Sequence, residues 1–515
     1  MPFSGRPAMC GRGRCAACAA LALAGIGASN ASADVAAAPA TTIFAQATTT
    51  LLSRSTQGQV PNGPSRNAAV SRDGRYARMI AFESDASNIT AGDTNGVTDV
   101  FAVTRAEPYS DQGTPWQSGT TALVSHGVGG QPANGRSYGP SVSGNSKHAA
   151  RCVAFVSDAS NLAPGDTNGV ADAFLWDAHT GRITRVSVGS GGNQANAPTY
   201  EVSVSGDCTR VAFSSAATNL APKRTQSLAW KSATTSPPPA GHTQVYVRFL
   251  GGSGPDRPFR GLTMRAYASD SGQPGNGDSS QPNLSTSGKT VVFTSTSTNL
   301  DRGDGDPGPD VYARTLQRKF RHFGRGRAAQ TILRGIRLVS ATGSGVAGNG
   351  PSSHPVVSED NRYVAYETQA SNLIPNDTGG VSDVVRADLS ASPPAQVAIS
   401  KASDGLGNGA STRASMSSVG HFVAFQSDAS NLKMRPDLAS DTNGVCDMMV
   451  GVVGLGAASV ESLDEVNRFV STPSGAPAIS ARGNYVAFES ADPQMDPVEP
   501  NPATQAIYLR YLGPK

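Results

Sequence analysis

CVAFVSDASNLAPGDTNGVADAFLW, Cys152 to Trp176, decides the fold, because edited copies of it recur along almost the whole chain. Its apolar core returns as Ile80-Ala-Phe82, Val153-Ala-Phe155, Val211-Ala-Phe213, Val291-Val-Phe293, Val364-Ala-Tyr366, Val423-Ala-Phe425 and Val486-Ala-Phe488, seven copies in all. Before each lies a short run ending in Ser and a turn, such as PSVSGN from Pro140 and PAISARG from Pro477; after each comes a loop and a third apolar run, such as DVFAV from Asp99 and AIYLR from Ala506. A fourth run of the TRVSV type follows at Ala122 to Ser125, Thr184 to Val188, Ile336 to Ser340 and Val397 to Ser400. Period-2 alternation bounded by turn residues makes each repeat a four-stranded antiparallel meander.

One meander cannot cover both of its own faces, so neighbours stack, and radial closure protects the sheet edges. The ends of the chain agree with a ring. The last copy stops at its third strand, Ala506 to Arg510, while Thr50 to Ser55 is an orphan strand of the fourth type. Together they complete a seventh blade, pairing the first strand with the last. The predicted fold is therefore all-β, a seven-bladed propeller over 49–515. The pattern S-x-x-G-x-x-V-A-F-x-S, as in Ser480 to Ser490, resembles the WD-like propeller repeat of TolB-type proteins, and the likeness covers roughly Ala68 to Arg510. That resemblance implies an exported propeller acting mostly by binding, although related propellers include hydrolases and lyases. The best-known member has six blades and an extra N-terminal domain; the seven copies here leave no room for one, so its partners do not transfer.

The N-terminus reads as an export signal: Arg6, Arg12 and Arg14, an apolar run from Cys15 to Ala28, then Ala31-Ser32-Ala33 as the cleavage signal. Residues 1–33 are the expected signal peptide and 34–48 a flexible mature N-terminus; the destination is periplasmic or extracellular. Later apolar stretches are too short for a transmembrane helix. Without the leader, 42 − 3 = 39 basic residues face 39 acidic ones, a balance that argues against a nucleic-acid binder. Cys152, Cys208 and Cys446 remain in the mature chain. The first two stand at related places in consecutive repeats, which makes a bridge between blades an option in an oxidising compartment.

Connections from strand two to three, and from strand four to the next blade, share one rim. The first family reads DTNGVTD (Asp93, Asn95, Asp99), DTNGVAD (Asp166, Asn168, Asp172) and DTNGVCD (Asp441, Asn443, Asp447), with altered forms DGDPGPD from Asp304 and DTGGVSD from Asp377. Closely spaced oxygen ligands with a sharp Gly turn are how Ca²⁺ loops are built, and the motif resembles the longer calcium loop of other propellers. The residue two before the first Asp, which would be a further ligand, is Ala91, Pro164 or Ala439. An Asx turn with left-handed Gly explains the same letters without metal. Both readings stay open, the metal one drawing on Asp85, Asp158 or Asp428. The second family carries Asn62, Asn134, Asn196, Asn276, Asn349 and Asn408, each followed by Gly or Ala. Tight turns tolerant of positive φ account for these pairs, and a carbohydrate-binding amide is the functional counterpart.

Two insertions break the symmetry. Pro222 to His242, with Trp230, replaces the DTNG loop of blade three and could lie over the rim as a lid; Gln317 to Arg334 is a basic, aromatic insertion expected as a solvated loop on the opposite face. No G-x-S-x-G, H-E-x-x-H or P-loop is present. His242 and His354 lie near the rim, where a general base is conceivable. The expected function is a monomeric, non-enzymatic platform for a protein or glycan partner at the rim, with no cofactor unless calcium. The alternative is a hydrolase or lyase in the axial pocket, which requires ionisable groups from several blades to converge there.

Overall fold

In blade one the strands are Ser65–Val70, Met79–Ser84, Asp99–Arg105 and Ser118–Leu123, paired antiparallel in that order from the axis outward. Seven such four-stranded sheets make the ring. The computed structural model describes residues 47–74, 77–107, 116–220, 241–251, 261–323, 326–378, 380–402, 405–432, 441, 443–464, 468–496 and 504–513, with backbone alone over 317–334. The expected signal peptide, Trp230 and most of the 222–242 insertion lie outside them. Among the described residues no helix is long and apolar enough to cross a membrane.

The VAF core works by alternation. Val153 and Phe155 face blade one, packing with Met79, Ala81, Val100 and Ala102, while Cys152 and Ala154 face blade three. Small Ala on one face thus meets large Phe from the next blade. In blades one to four the second-strand aromatic stacks on a third-strand one, as in Phe155 and Phe174 at 5.9 Å or Phe293 and Tyr312 at 5.9 Å, while Val385 and Met449 take the third-strand place in blades five and six. Each fully buried ring contributes ~2–3 kcal/mol, and the interface repeats around the ring.

Blade seven is closed by the chain's own start: Thr48–Leu51 pairs with Ala506–Tyr511, Thr48 opposite Tyr511 and Leu51 opposite Tyr508. A fully buried ion pair sits on this seam, Arg510 Nε to Glu461 Oε2 at 3.0 Å, and Arg510 also donates to Thr49 Oγ1 and the Leu463 carbonyl. Blades two and three are joined by the Cys152–Cys208 disulfide, whose Cα separation of 6.1 Å lies in the ordinary range. Cys446 is free.

Three expectations are corrected. Fourth strands end about two residues earlier than the TRVSV reading: Arg182–Arg185 ends before Val186-Ser187 and Ala395–Ala398 before Ile399-Ser400. The serine leaves because its hydroxyl turns to a third-strand aspartate. The orphan N-terminal strand is earlier for a similar reason, since Ser53 accepts the Ile507 N–H. The basic insertion is not a loop but a hairpin arm, Asp310–Phe323 against Gly326–Leu338, paired as far as Phe323 and Gly326. The alternating QRKFRHF run extends the strand instead of interrupting it.

Candidate functional site

At the rim, the last Asp of each D-x-N-G-x-x-D loop is an anchor. Asp99, Asp172, Asp310, Asp383 and Asp447 each accept the hydroxyl of a serine two residues beyond the end of the fourth strand (Ser125, Ser187, Ser340, Ser400, Ser462). That same hydroxyl accepts the next backbone N–H of the third strand. The asparagine fills the other side: Asn95 Nδ2 donates to Asp99 Oδ2 at 2.7 Å, Asn168 Nδ2 to Asp172 Oδ2 at 2.8 Å, and Asn443 Nδ2 lies 3.3 Å from Asp447 Oδ2. Its Oδ1 turns back to cap Val97, Val170 or Val445 N–H. With φ of 70°, 67° and 67° at Gly96, Gly169 and Gly444, this is an Asx turn. The amide oxygen that a metal would use faces away from the carboxylates.

The first Asp of the motif differs between blades. Asp166 is paired with Arg185, Asp441 Oδ1 accepts Asn443 N–H, and Asp93 Oδ1 is buried without a hydrogen-bond partner. Burial, and then the Asp99 charge, push the Asp93 carboxyl up to about 6. In blade four, carboxylate oxygens of Asp304, Asp306 and Asp310 lie within 4.8 Å of one another. All three have partners, including Tyr312 OH on Asp304, Gly308 N–H on Asp306 and Ser340 on Asp310.

The second loop family is a staple. Asn62, Asn134, Asn196, Asn276, Asn349 and Asn408 donate their backbone N–H to Asn88, Asn161, Asn219, Asn299, Asn372 and Asn431 respectively. Their Nδ2 groups donate to the hydroxyl just before each of those partners. The glycines that follow do not have positive φ, which corrects the turn reading. They allow close approach: a Cβ on Gly63 would lie 2.9 Å from Ala86 N, and one on Gly409 2.6 Å from Asp428 O. His242 lies at the rim, Nδ1 3.3 Å from Asp278 Oδ1.

The axis holds a different kind of chemistry. Each inner strand carries a register shift, and in six blades one residue there adopts positive φ: Asn67 (52°), Gly139 (62°), Gln281 (53°), His354 (50°), Arg413 (53°) and Ala476 (46°). The bulge turns that residue's N–H toward the preceding blade, where a carboxylate or amide accepts it. Asn67 donates to Glu489, Gly139 to Glu83, Gln281 to Glu201, His354 to Gln281, Arg413 to Glu367 and Ala476 to Gln426. Where the second strand offers only Ser214 or Thr294, that hydroxyl instead steadies the acceptor, Glu201 or Gln281, on the inner strand. Proline follows four of the bulge residues (Pro140, Pro282, Pro355, Pro477), removing an N–H that would have no ladder partner. Those prolines were the sequence signal for this ring, and sequence reasoning passed over it.

Asn67, Tyr200, Glu201, Gln281, His354, Glu367 and Arg413 help line an axial cavity of about 700 Å³. Turns between strands one and two close its far end by bonds across the ring. Arg72 of blade one donates to the Val357 carbonyl of blade five at 3.2 Å, its burial lowering the guanidinium to about 10, and Ser146 N–H of blade two reaches Glu359. The cavity is thus a cup opening toward the DTNG rim. Inside it, His354 Nδ1 lies 3.1 Å from Glu367 Oε2 and Nε2 lies 2.8 Å from Gln281 Nε2. Gln281 Oε1 accepts His354 N–H and the Thr294 hydroxyl, so its NH₂ must point at the imidazole. That assigns the His354 proton to Nδ1. Of the residues singled out from sequence that lie among the described residues, His354 lines the cup and the rim aspartates and asparagines do not.

No protein-family model matches the chain, and no curated protein matches it in sequence. Solved structures resemble it in fold. Oligogalacturonate lyase from Vibrio parahaemolyticus is 11% identical with a TM-score of 0.44, covering 90% of this chain and 96% of the lyase. TolB from Acinetobacter baumannii is 13% identical with a TM-score of 0.36, covering 75% of this chain; the match spans 63% of TolB's own length. The β-propeller domain of the Trilobed protease from Pyrococcus furiosus is 8% identical with a TM-score of 0.39, covering 84% and 90%.

Proposed function

We propose that this β-propeller is an exported binding protein that takes a segment of glycan in its axial cup. One observation carries the reading. Five blades place a non-glycine side chain at positive φ, where blade two shows that Gly139 serves the same backbone turn. A side chain there costs ~1 kcal/mol or more relative to glycine, a backbone cost that blade two avoids with Gly139 and that the arginine and histidine blades bear. Their side chains are what the position is kept for. The rim amides, by contrast, are taken up within the protein.

The chemistry of the lining supports a saccharide. Tyr200, 45% exposed, offers a flat apolar face, and Asn67, Thr412, Arg413 and His354 line the same cavity with donors and acceptors. A cup of about 700 Å³ admits a few sugar rings and excludes a folded domain. The Ala-Ser-Ala signal and a disulfide suited to an oxidising compartment support export. Glu201, His354, Glu367 and Arg413, from three blades, do converge on the cup, which is what a hydrolase or lyase there requires; of these, His354 is not a free base, because its Nε2 is held by Gln281.

Calorimetric titration of the mature protein with neutral and uronic-acid oligosaccharides tests the reading. Saturable binding is expected, weakened about tenfold by Tyr200→Ala and also by Arg413→Ala. If no oligosaccharide binds, or both variants bind as the wild type does, the cup is not a glycan site.

A further inference from the structure

Two rim loops have nearly the same letters and opposite electrostatic outcomes. Asp93 to Asp99 reads DTNGVTD and Asp166 to Asp172 reads DTNGVAD. In blade two the pair of aspartates holds a cation supplied by the chain. Arg185 Nη1 lies 2.8 Å from Asp166 Oδ1, 3.7 Å from Asp172 Oδ2 and 2.9 Å from Gln194 Oε1, and its Nη2 donates to the Gly165 carbonyl at 3.0 Å. The guanidinium is only 10% exposed, so it is held in a nest of oxygens and not laid over the surface.

Blade one has the two aspartates of the nest without the guanidinium, and Pro132 stands where blade two has Gln194. Arg185 stands opposite Phe174 in its ladder, and the residue opposite the matching Phe101 is Leu123. Asp99 is fully buried and Asp93 is 5% exposed. Asp93 Oδ1 is buried with no hydrogen-bond partner among the described residues. Two buried carboxylates side by side are relieved by a proton on one of them or by positive charge between them. Blade two supplies the charge from a side chain.

We propose that blade one binds a divalent cation of the Ca²⁺ class between the Asp93 and Asp99 carboxylates, in the place that Arg185 takes in blade two. Carboxylate oxygens, with the Gly92 carbonyl matching that of Gly165, form an oxygen-only set, and an irregular loop suits calcium better than the strict octahedron of magnesium. Asn95 need not move, since Asn168 keeps the same hydrogen bonds beside Arg185. The site does not depend on what the axial cup binds.

The test is calorimetric titration of EDTA-treated mature protein with CaCl₂, comparing the wild type with Asp93→Asn and with Leu123→Arg, which gives blade one the cation of blade two. Both variants are expected to bind one equivalent fewer than the wild type. Leu123→Arg should also melt, in EDTA, at or above the wild-type temperature and lose the stabilisation that Ca²⁺ gives blade one. A wild type that takes up no Ca²⁺, or a folded variant of either kind with the full wild-type count, overturns the proposal. Should one variant fail to fold, the other decides.

Discussion

The rim and the axis of this propeller use repetition in opposite ways. At the rim the letters repeat, and almost every polar group is satisfied within the protein: Asp to Ser, Asn to Asp, Asn to Asn. At the axis the backbone repeats, with the same positive-φ bulge in six blades, and the letters vary through Asn, Gly, Gln, His, Arg and Ala. Repeated letters mark what the fold needs at each position. Varied letters on a constant, strained backbone mark where the fold leaves room for something else.

Substitutions can break that contrast from either side. The largest effect is expected at a rim anchor. Asp172→Ala removes a fully buried carboxylate that takes the Ser187 hydroxyl and the Asn168 amide and lies beside Arg185, stranding two donors. Urea denaturation should show a loss of about 3 kcal/mol, with ligand binding in the cup unchanged in the protein that remains folded.

A smaller effect comes from pH. Burial, first among the causes, pushes the Asp383 carboxyl up to about 6 and the Asp310 carboxyl up to about 7. An unfolded aspartate titrates near ~3.9, so between these values the native state binds more protons than the unfolded one. Stability from these two groups is therefore fully present below the unfolded value and is lost as pH rises through 6 to 7. Melting temperature should rise between pH 7.5 and pH 5 by an amount worth roughly 1 kcal/mol per carboxyl. Asp383→Asn should flatten that slope; a steeper slope in the variant would contradict the assignment.

The smallest effect on stability is expected at the axis, and it has the opposite sign. Arg413→Gly relieves a positive φ of 53° while exposing more chain entropy on unfolding. The net change should lie between zero and a gain of ~1 kcal/mol, with cup binding weakened as in Arg413→Ala. A variant that is destabilised and binds as the wild type does would mean that the axial side chains serve the fold and the rim serves the ligand.

The fold was legible because its signals are local and repeated. VAF fixes the alternation, the turn letters fix the strand ends, and the leftover strand at each end of the chain fixes the ring. The rim was legible as letters and misread in part as geometry. Asn-Gly looks like a positive-φ turn in sequence, yet the glycine is there for a backbone contact with the Asp85–Ala86 segment, more than twenty positions away. The cup was hardly legible. Tyr200, Gln281 and Arg413 come from three different blades, and no spacing rule connects them. Only the prolines after the bulges hinted that the inner strands are not regular.

The sequence by itself determined the blade count, the strand order and the seam where the chain closes on itself, because each depends on hydrophobic period and turn residues that act within one repeat. It also carried the pair of cysteines, without the distance that makes them a bridge. The tertiary structure alone decided which polar groups have partners. Arg72 closes the axis through a residue 285 positions away, and Arg185 neutralises one aspartate pair while Leu123 leaves its counterpart uncompensated. Hydrogen bonding and charge act at contact distance, and only the closed ring brings those groups into contact.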